Sequence, residues 1–219
     1  MIVVVDYGMG NLGSIRNMLK RLDVPAEVAS DRARIEAADK LILPGVGAFD
    51  EGMSNLESRE QVEVITKKVM EDRVPVLGIC LGMQLMTRGS EEGRKPGLGW
   101  VQAETVHLRR DAPPGAERLK YPHIGWSYVD WVREHPLTRE VPPDSRFYFV
   151  HSFKVVCDRR EDVLADAAHG PIVYCAAFAR DNMVGVQFHP EKSHRFGLRL
   201  LSAFAKWPGA ADPLTGASA

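Results

Sequence analysis

The first third of the chain alternates short apolar runs with stretches of helical spacing. Ile2–Val5 is a β-branched run that stops at a glycine-rich turn. From residue 12 to 22 the apolar positions are 12, 15, 18, 19 and 22, the spacing of one helix face. Ala26–Ala29 and residues 41–43 read as the next two strands. Residues 55–72 read as a helix with Leu56, Val62, Ile65 and Val69 on one side, and residues 74–79 as a fourth strand. Strands separated by helices in this rhythm predict an α/β fold, a mostly parallel open sheet with helices on both faces.

Near Gly93 the rhythm changes. Glycine and proline punctuate 93–99, and shorter β-like stretches follow at 101–108, 126–132, 147–150 and 172–179. Arg180-Asp181-Asn182 reads as a hairpin turn into a strand at 183–188, so extra antiparallel strands are expected in the second half. A last helix at 194–206 carries Leu198, Leu201 and Phe204 at a spacing of three. The reading is one domain over 1–206 and a flexible, small and polar tail at 207–219.

Composition narrows the class mainly by exclusion. With 28 basic and 29 acidic residues the net charge is −1, so bulk charge favours neither nucleic acid nor an anionic membrane. Cys80, Cys157 and Cys175 are too few and too far apart for a disulfide framework or a paired-cysteine metal site. The N-terminal apolar run is too short for a signal sequence, and no stretch approaches the roughly 18 apolar residues of a membrane span. A cytoplasmic protein is expected.

Chemistry concentrates in three places. Residues 74–84 run from an apolar strand into Gly78-Ile-Cys80-Leu-Gly82, the nucleophile-elbow pattern with sulfur in place of the serine oxygen. Such a turn sets Cys80 at a helix N-terminus, which favours thiolate, and aims the Leu81 N–H at an oxyanion. The bland reading, a buried small hydrophobe, fits Cys157 and Cys175 better, since neither has flanking glycines. His189-Pro-Glu191 ends a strand. In extended chain the two side chains point the same way, supplying a base and the carboxylate that orients it, and Pro190 is expected to keep the segment from turning helical. Leu43-Pro-Gly45-Val46-Gly47 is either a tight loop or a nest of backbone N–H groups giving a second oxyanion donor.

Other motifs carry less. Gly8-Met-Gly10-Asn-Leu-Gly13 matches the dinucleotide fingerprint, but Asp6 stands where that fingerprint wants an apolar residue, so the glycines read as a tight turn. His107, His135, His169 and His194 read as solvated, while His123 and His151 sit beside aromatics and read as structural or pocket-lining. No histidine pair has ligand spacing, so neither a metal nor a cofactor is expected.

Together these pieces resemble the class I (triad-type) glutamine amidotransferases, a flavodoxin-like fold, and within them the glutaminase subunits of imidazole glycerol phosphate synthases. The resemblance runs from residue 1 to about 206. It rests on Asp6-Tyr-Gly-Met-Gly-Asn-Leu12, Leu43-Pro-Gly-Val-Gly47, Gly78-Ile-Cys-Leu-Gly-Met-Gln84, Pro122-His-Ile-Gly-Trp126, Tyr148-Phe-Val-His-Ser152 and Gln187-Phe-His-Pro-Glu-Lys-Ser193. It implies a Cys80, His189 and Glu191 triad that hydrolyses L-glutamine, with Val46 and Leu81 as oxyanion donors. Gly47, Gln84, Ser152 and Phe153 are implied to hold glutamine. A (β/α)8-barrel cyclase subunit is the implied heterodimer partner and receiver of ammonia, with Asn11, Trp126 and Lys192 facing it. The chain departs from the family's habit at Ser127, where Asn is common, and at Phe153, where Tyr is common. A different ammonia acceptor, such as a surface sugar, a stand-alone γ-glutamyl hydrolase and a non-catalytic subunit on the same scaffold are the alternatives.

Overall fold

The computed structural model describes residues 1–110 and 112–209. In chain order its strands are β1 (Ile2–Val5), β2 (Ala26–Ala29), β3 (Lys40–Leu43), β4 (Val76–Ile79), β5 (Ala103–His107), β6 (His123–Tyr128), β7 (Asp130–Trp131), β8 (Arg146–His151), β9 (Phe153–Cys157), β10 (Val163–His169), β11 (Ile172–Arg180) and β12 (Met183–Val186). The α-helices are α1 (Leu12–Arg21), α2 (Arg32–Glu36), α3 (Phe49–Ser58), α4 (Gln61–Thr66), α5 (Leu81–Leu85) and α6 (His194–Lys206).

The main sheet runs β2-β1-β3-β4-β12-β11-β10-β7, with β9 joining β11 and β5 joining β9. The strands from β2 through β12 are mutually parallel, and pairing turns antiparallel from β11 outward. Ile2 and Val4 enter one core with Ile15 and Leu19 of α1 and Leu201 and Phe204 of α6. Val3 and Val5 enter the opposite core with Ile35, Phe49 and Val64. A strand covered on both faces has no polar side, which accounts for the unbroken apolar run at the N-terminus.

Several local expectations change. The helix expected over 55–72 is two helices and a π-helical turn, Lys67–Glu71. The first begins earlier, at Phe49, and Glu60 breaks the run with a left-handed φ of 56°. Neither glycine nor proline marks that break. Gln61 is buried there, and its amide donates to the carbonyls of Asp6 and Ser30 at 3.0 and 2.8 Å, fastening α4 to the ends of β1 and β2. Strand β10 and the short α2 had no counterpart in the sequence reading, while β9 is the β-like stretch around Cys157. The hairpin after β11 is present, with Arg180 paired to Met183 across a two-residue turn. In α6 the buried leucines are Leu200 and Leu201, while Leu198 is half-buried.

Strands β6 and β8 form a separate antiparallel ribbon, His123 opposite His151 at one end and Tyr128 opposite Arg146 at the other. It docks on the segment after β12, where the His189 N–H donates to the Tyr148 carbonyl at 2.9 Å. From residue 210 onward the expected tail lies outside the described residues. Trp207 is buried, its carbonyl accepting the Lys40 ammonium. No helix among the described residues is long and apolar enough to cross a membrane.

Candidate active site

Strand β4 ends at Ile79 and α5 begins at Leu81, so Cys80 alone makes the turn. Its φ of 53° and ψ of −109° are rare for a residue with a Cβ and persist only where neighbours impose them. The Cys80 N–H donates to the Val186 carbonyl at 2.8 Å, and its carbonyl accepts from Gln84 N–H at 3.2 Å. The flanking glycines are required by contact. A Cβ on Gly82 would stand 1.8 Å from the Leu43 carbonyl oxygen, and one on Gly78 would stand 2.6 Å from the Met86 sulfur. Leu81 occupies the first position of α5, where an N–H has no partner within its own helix.

Next to β4, β12 delivers His189. Its Nδ1 meets Glu191 Oε1 at 2.8 Å, and both side chains are almost wholly buried, at 1% and 2% exposed. The pair forms by a different route from the one expected: Pro190–Lys192 is a 3-10 turn rather than extended chain, with proline at its first position. Proline fits there because that N–H would be unpaired anyway. Ser193 fixes the turn, its hydroxyl donating to the His189 carbonyl at 2.6 Å and accepting the Tyr148 N–H at 3.0 Å. The other ring nitrogen, Nε2, is buried and faces the Cys80 sulfur. Burial alone would lower the imidazole pKa, but Cys80 and Glu191 outweigh it and raise it to about 9. A proton therefore rests on His189 when the sulfur is ionised.

Cys80 opens into a cleft of about 250 Å³ that also meets Val46, Gly47, Leu81, Gln84, Ser152 and Phe153. Glu92 is the carboxylate on its wall, and sequence reasoning did not single it out. The loop at 44–47 lies directly against the elbow. A Cβ on Gly45 would stand 2.5 Å from the Tyr7 hydroxyl and 2.7 Å from Leu81 Cβ, and Gly47 has a φ of 110°. Tyr7 anchors this loop by donating its hydroxyl to the Pro44 carbonyl at 2.5 Å.

The glycine-rich turn after β1 does not have the packing of a dinucleotide site. Gly8 and Gly10 take φ of 87° and 105°, Gly10 against Pro44 and Gly8 against the Arg59 guanidinium. A fingerprint's third glycine exists for close helix packing. A Cβ on Gly13 would meet nothing within 4 Å. Asp6 instead accepts the Gly8 N–H at 2.9 Å, closing the turn on itself.

Residues 3–206 match the sequence model of a family described as glutamine amidotransferase class-I. The chain belongs to the class I glutamine amidotransferase family. It is 48% identical over 206 residues to imidazole glycerol phosphate synthase subunit HisH 2 of Pseudomonas aeruginosa, covering 94% of this chain and 99% of that one. To subunit HisH 2 of Methanococcus maripaludis it is 45% identical, with the same coverage. In fold it is similar to a glutamine amidotransferase of Thermotoga maritima, with a TM-score of 0.62 and 18% identity over 93% of this chain and 81% of that one.

In this amidotransferase the three positions expected to face a partner lie around the same rim. Trp126 is 44% exposed on the ribbon, its ring edge-on to Tyr148 at 6.1 Å. Lys192 stands 5.6 Å over that same Tyr148 ring. Asn11 opens α1, which packs against the Pro190–Lys192 turn. Of the histidines, His194 is exposed as expected, whereas His107, His135 and His169 are half-buried. His151 lines the cleft and His123 lies buried behind it.

Proposed function

We propose that this amidotransferase is the glutaminase subunit of an imidazole glycerol phosphate synthase, acting in the cytoplasm and passing ammonia to a (β/α)8-barrel cyclase subunit. Full-length likeness to the HisH relatives supports the assignment, and the carrying observation is the His189–Glu191 pair buried beside Cys80 at the mouth of a glutamine-sized cleft. Residues 1–206 are the catalytic domain.

Cys80 attacks the carboxamide carbon as thiolate while His189 holds the proton. The C–N bond breaks as His189 delivers that proton to the leaving ammonia, and a thioester to Cys80 remains. Water then attacks the thioester with His189 as base, and glutamate leaves. Glu191 fixes the tautomer through Nδ1 and stabilises the imidazolium. Leu81 N–H, unpaired at the start of α5, and Val46 N–H, from the loop packed on the elbow, are the oxyanion donors. Gly47, Gln84 and the backbone of Ser152 and Phe153 hold glutamine, with the Glu92 carboxylate facing its ammonium group. Asn11, Trp126 and Lys192 meet the cyclase subunit.

The test is glutamate release from glutamine by the purified chain with the cyclase subunit and its ribulosyl nucleotide ligand. Cys80→Ala is expected to abolish release while the partner's reaction with free ammonia persists. Strong turnover by the chain alone would instead indicate a stand-alone hydrolase.

A further inference from the structure

Gln187, the second residue before His189, is fully buried and its amide nitrogen lies 3.7 Å from the Cys80 sulfur. Amide nitrogen and oxygen are told apart by their partners. Here the neighbours decide the matter, beginning from the main-chain carbonyl of Phe153, which can only accept. Two groups converge on it, the Gln84 side-chain amide at 3.3 Å and His151 Nδ1 at 2.7 Å, so both donate. With its nitrogen on Phe153, Gln84 turns its second N–H to Gln187 Oε1 at 3.1 Å. Gln187 is left with its NH2 facing the sulfur.

The other arm obeys the same logic. His151, protonated on Nδ1, accepts at Nε2 from the Tyr174 hydroxyl at 3.3 Å. Tyr174 has then spent its proton, so its oxygen accepts from His123 Nδ1 at 3.0 Å. His123 Nε2 accepts from the Ser127 hydroxyl at 3.1 Å. Both imidazoles must be neutral for this direction to hold, and burial pushes His123 down to about 4 and His151 to about 3. Two hydrogen-bonded arms thus converge on the Phe153 carbonyl, one starting at Ser127 on the ribbon and the other at Gln84, which also donates towards Gln187 and the nucleophile. Gln187 itself is held in β-register, its N–H donating to the Ala176 carbonyl at 2.8 Å.

We propose that Gln187 is a positioning residue of the glutaminase reaction, its amide N–H holding the Cys80 sulfur as thiolate in an orientation that Gln84 and the Phe153 carbonyl impose. The proposal rests on the glutaminase reading above. An amide suits this task because it donates to the sulfur without competing for the proton that His189 must later deliver. Two other groups near the sulfur do different work: His189 exchanges the proton with it, and the Tyr7 hydroxyl is committed to the Pro44 carbonyl.

The experiment is iodoacetamide alkylation of Cys80 in the full chain, followed at that residue by peptide mass so that Cys157 and Cys175 do not interfere. Gln187→Met keeps the bulk and removes the donor, and Gln187→Glu replaces the donor with a charged acceptor. At about pH 6, where the rate follows thiolate content, Gln187→Met is expected to react about tenfold more slowly than the parent, and Gln187→Glu more slowly still. At about pH 10, where any thiol of ordinary acidity is ionised, parent and Gln187→Met are expected to agree within about twofold. A cooperatively folded Gln187→Met that matches the parent at both pH values overturns the proposal, as does an equal loss at both, which marks restricted access. A parent Cys80 no faster than a free thiol at about pH 6 defeats the nucleophile reading itself, whatever Gln187 does.

Discussion

His189 is buried, yet its two neighbours keep it charged, and the balance has a measurable consequence. Its pKa rises from 6.5 to about 9 on folding. A group raised in this way favours the folded state fully below its unfolded value, and the contribution fades as pH climbs through the folded one. The parent is therefore expected to lose thermal stability between pH 6.5 and about 9 more steeply than Glu191→Gln, which keeps the burial and loses one raising partner. Melting curves across that window decide it, and parallel trends for the two proteins would show that Glu191 does not hold the charge. Cys80 and His189 were legible from sequence because thiols, imidazoles and glycines announce their chemistry. Gln187 was not, although it sits two positions before His189 with the same strand parity. An amide has no titration to draw the eye, and only its contacts give it meaning.

At the scale of elements, the site is held by helices that touch its backbone without any side chain between. Gly197 lies in α6, and a Cβ there would stand 1.8 Å from the Pro190 carbonyl oxygen. Main chain cannot rotate aside as a flexible side chain can. Gly197→Ala must separate α6 from the Pro190–Lys192 turn by about an ångström, costing about 1–3 kcal/mol. The same shift moves His189 against Cys80, and misplacements of that size cost about a hundredfold in rate. The expectation is a folded variant with glutaminase kcat down about a hundredfold, whereas Gly13→Ala, in open space, leaves kcat unaltered. Unchanged turnover in Gly197→Ala would mean that this packing does not place His189. Legibility of the elements followed burial. β1, β3 and β4 are covered on both faces and read as apolar runs, while β10 spells Val-Leu-Ala-Asp-Ala-Ala-His, with few β-branched residues and no clean alternation. The break at Glu60 was hidden because a buried Gln61, rather than glycine or proline, sets it.

Across the whole molecule, the site depends on one edge of the sheet. The carboxyl ends of β3, β4 and β12 bring the loop at 44–47, Cys80 and His189 together from distant parts of the sequence, where open α/β sheets place their ligands. The β6–β8 ribbon borders that edge and turns Ile124, Trp126 and Tyr128 outward, each at least 44% exposed. Alternate apolar side chains on one strand face are a costly surface for a lone chain and a ready one for a partner. Trp126 is the best anchor among them, its ring stacked 5.5 Å from His194 with 2° between the planes, so little freedom is left to lose on binding. Trp126→Ala is expected to weaken binding of the cyclase subunit by about 2 kcal/mol, about thirtyfold in Kd. Met70→Ala supplies the comparison: Met70 is 40% exposed on the π-helical turn that precedes the amino end of β4, at the opposite edge, and its loss should leave Kd unchanged. Titration calorimetry of the two variants against the same subunit separates the possibilities, since equal affinities would move the partner away from the ribbon and detach it from the chain of hydrogen bonds that begins at Ser127.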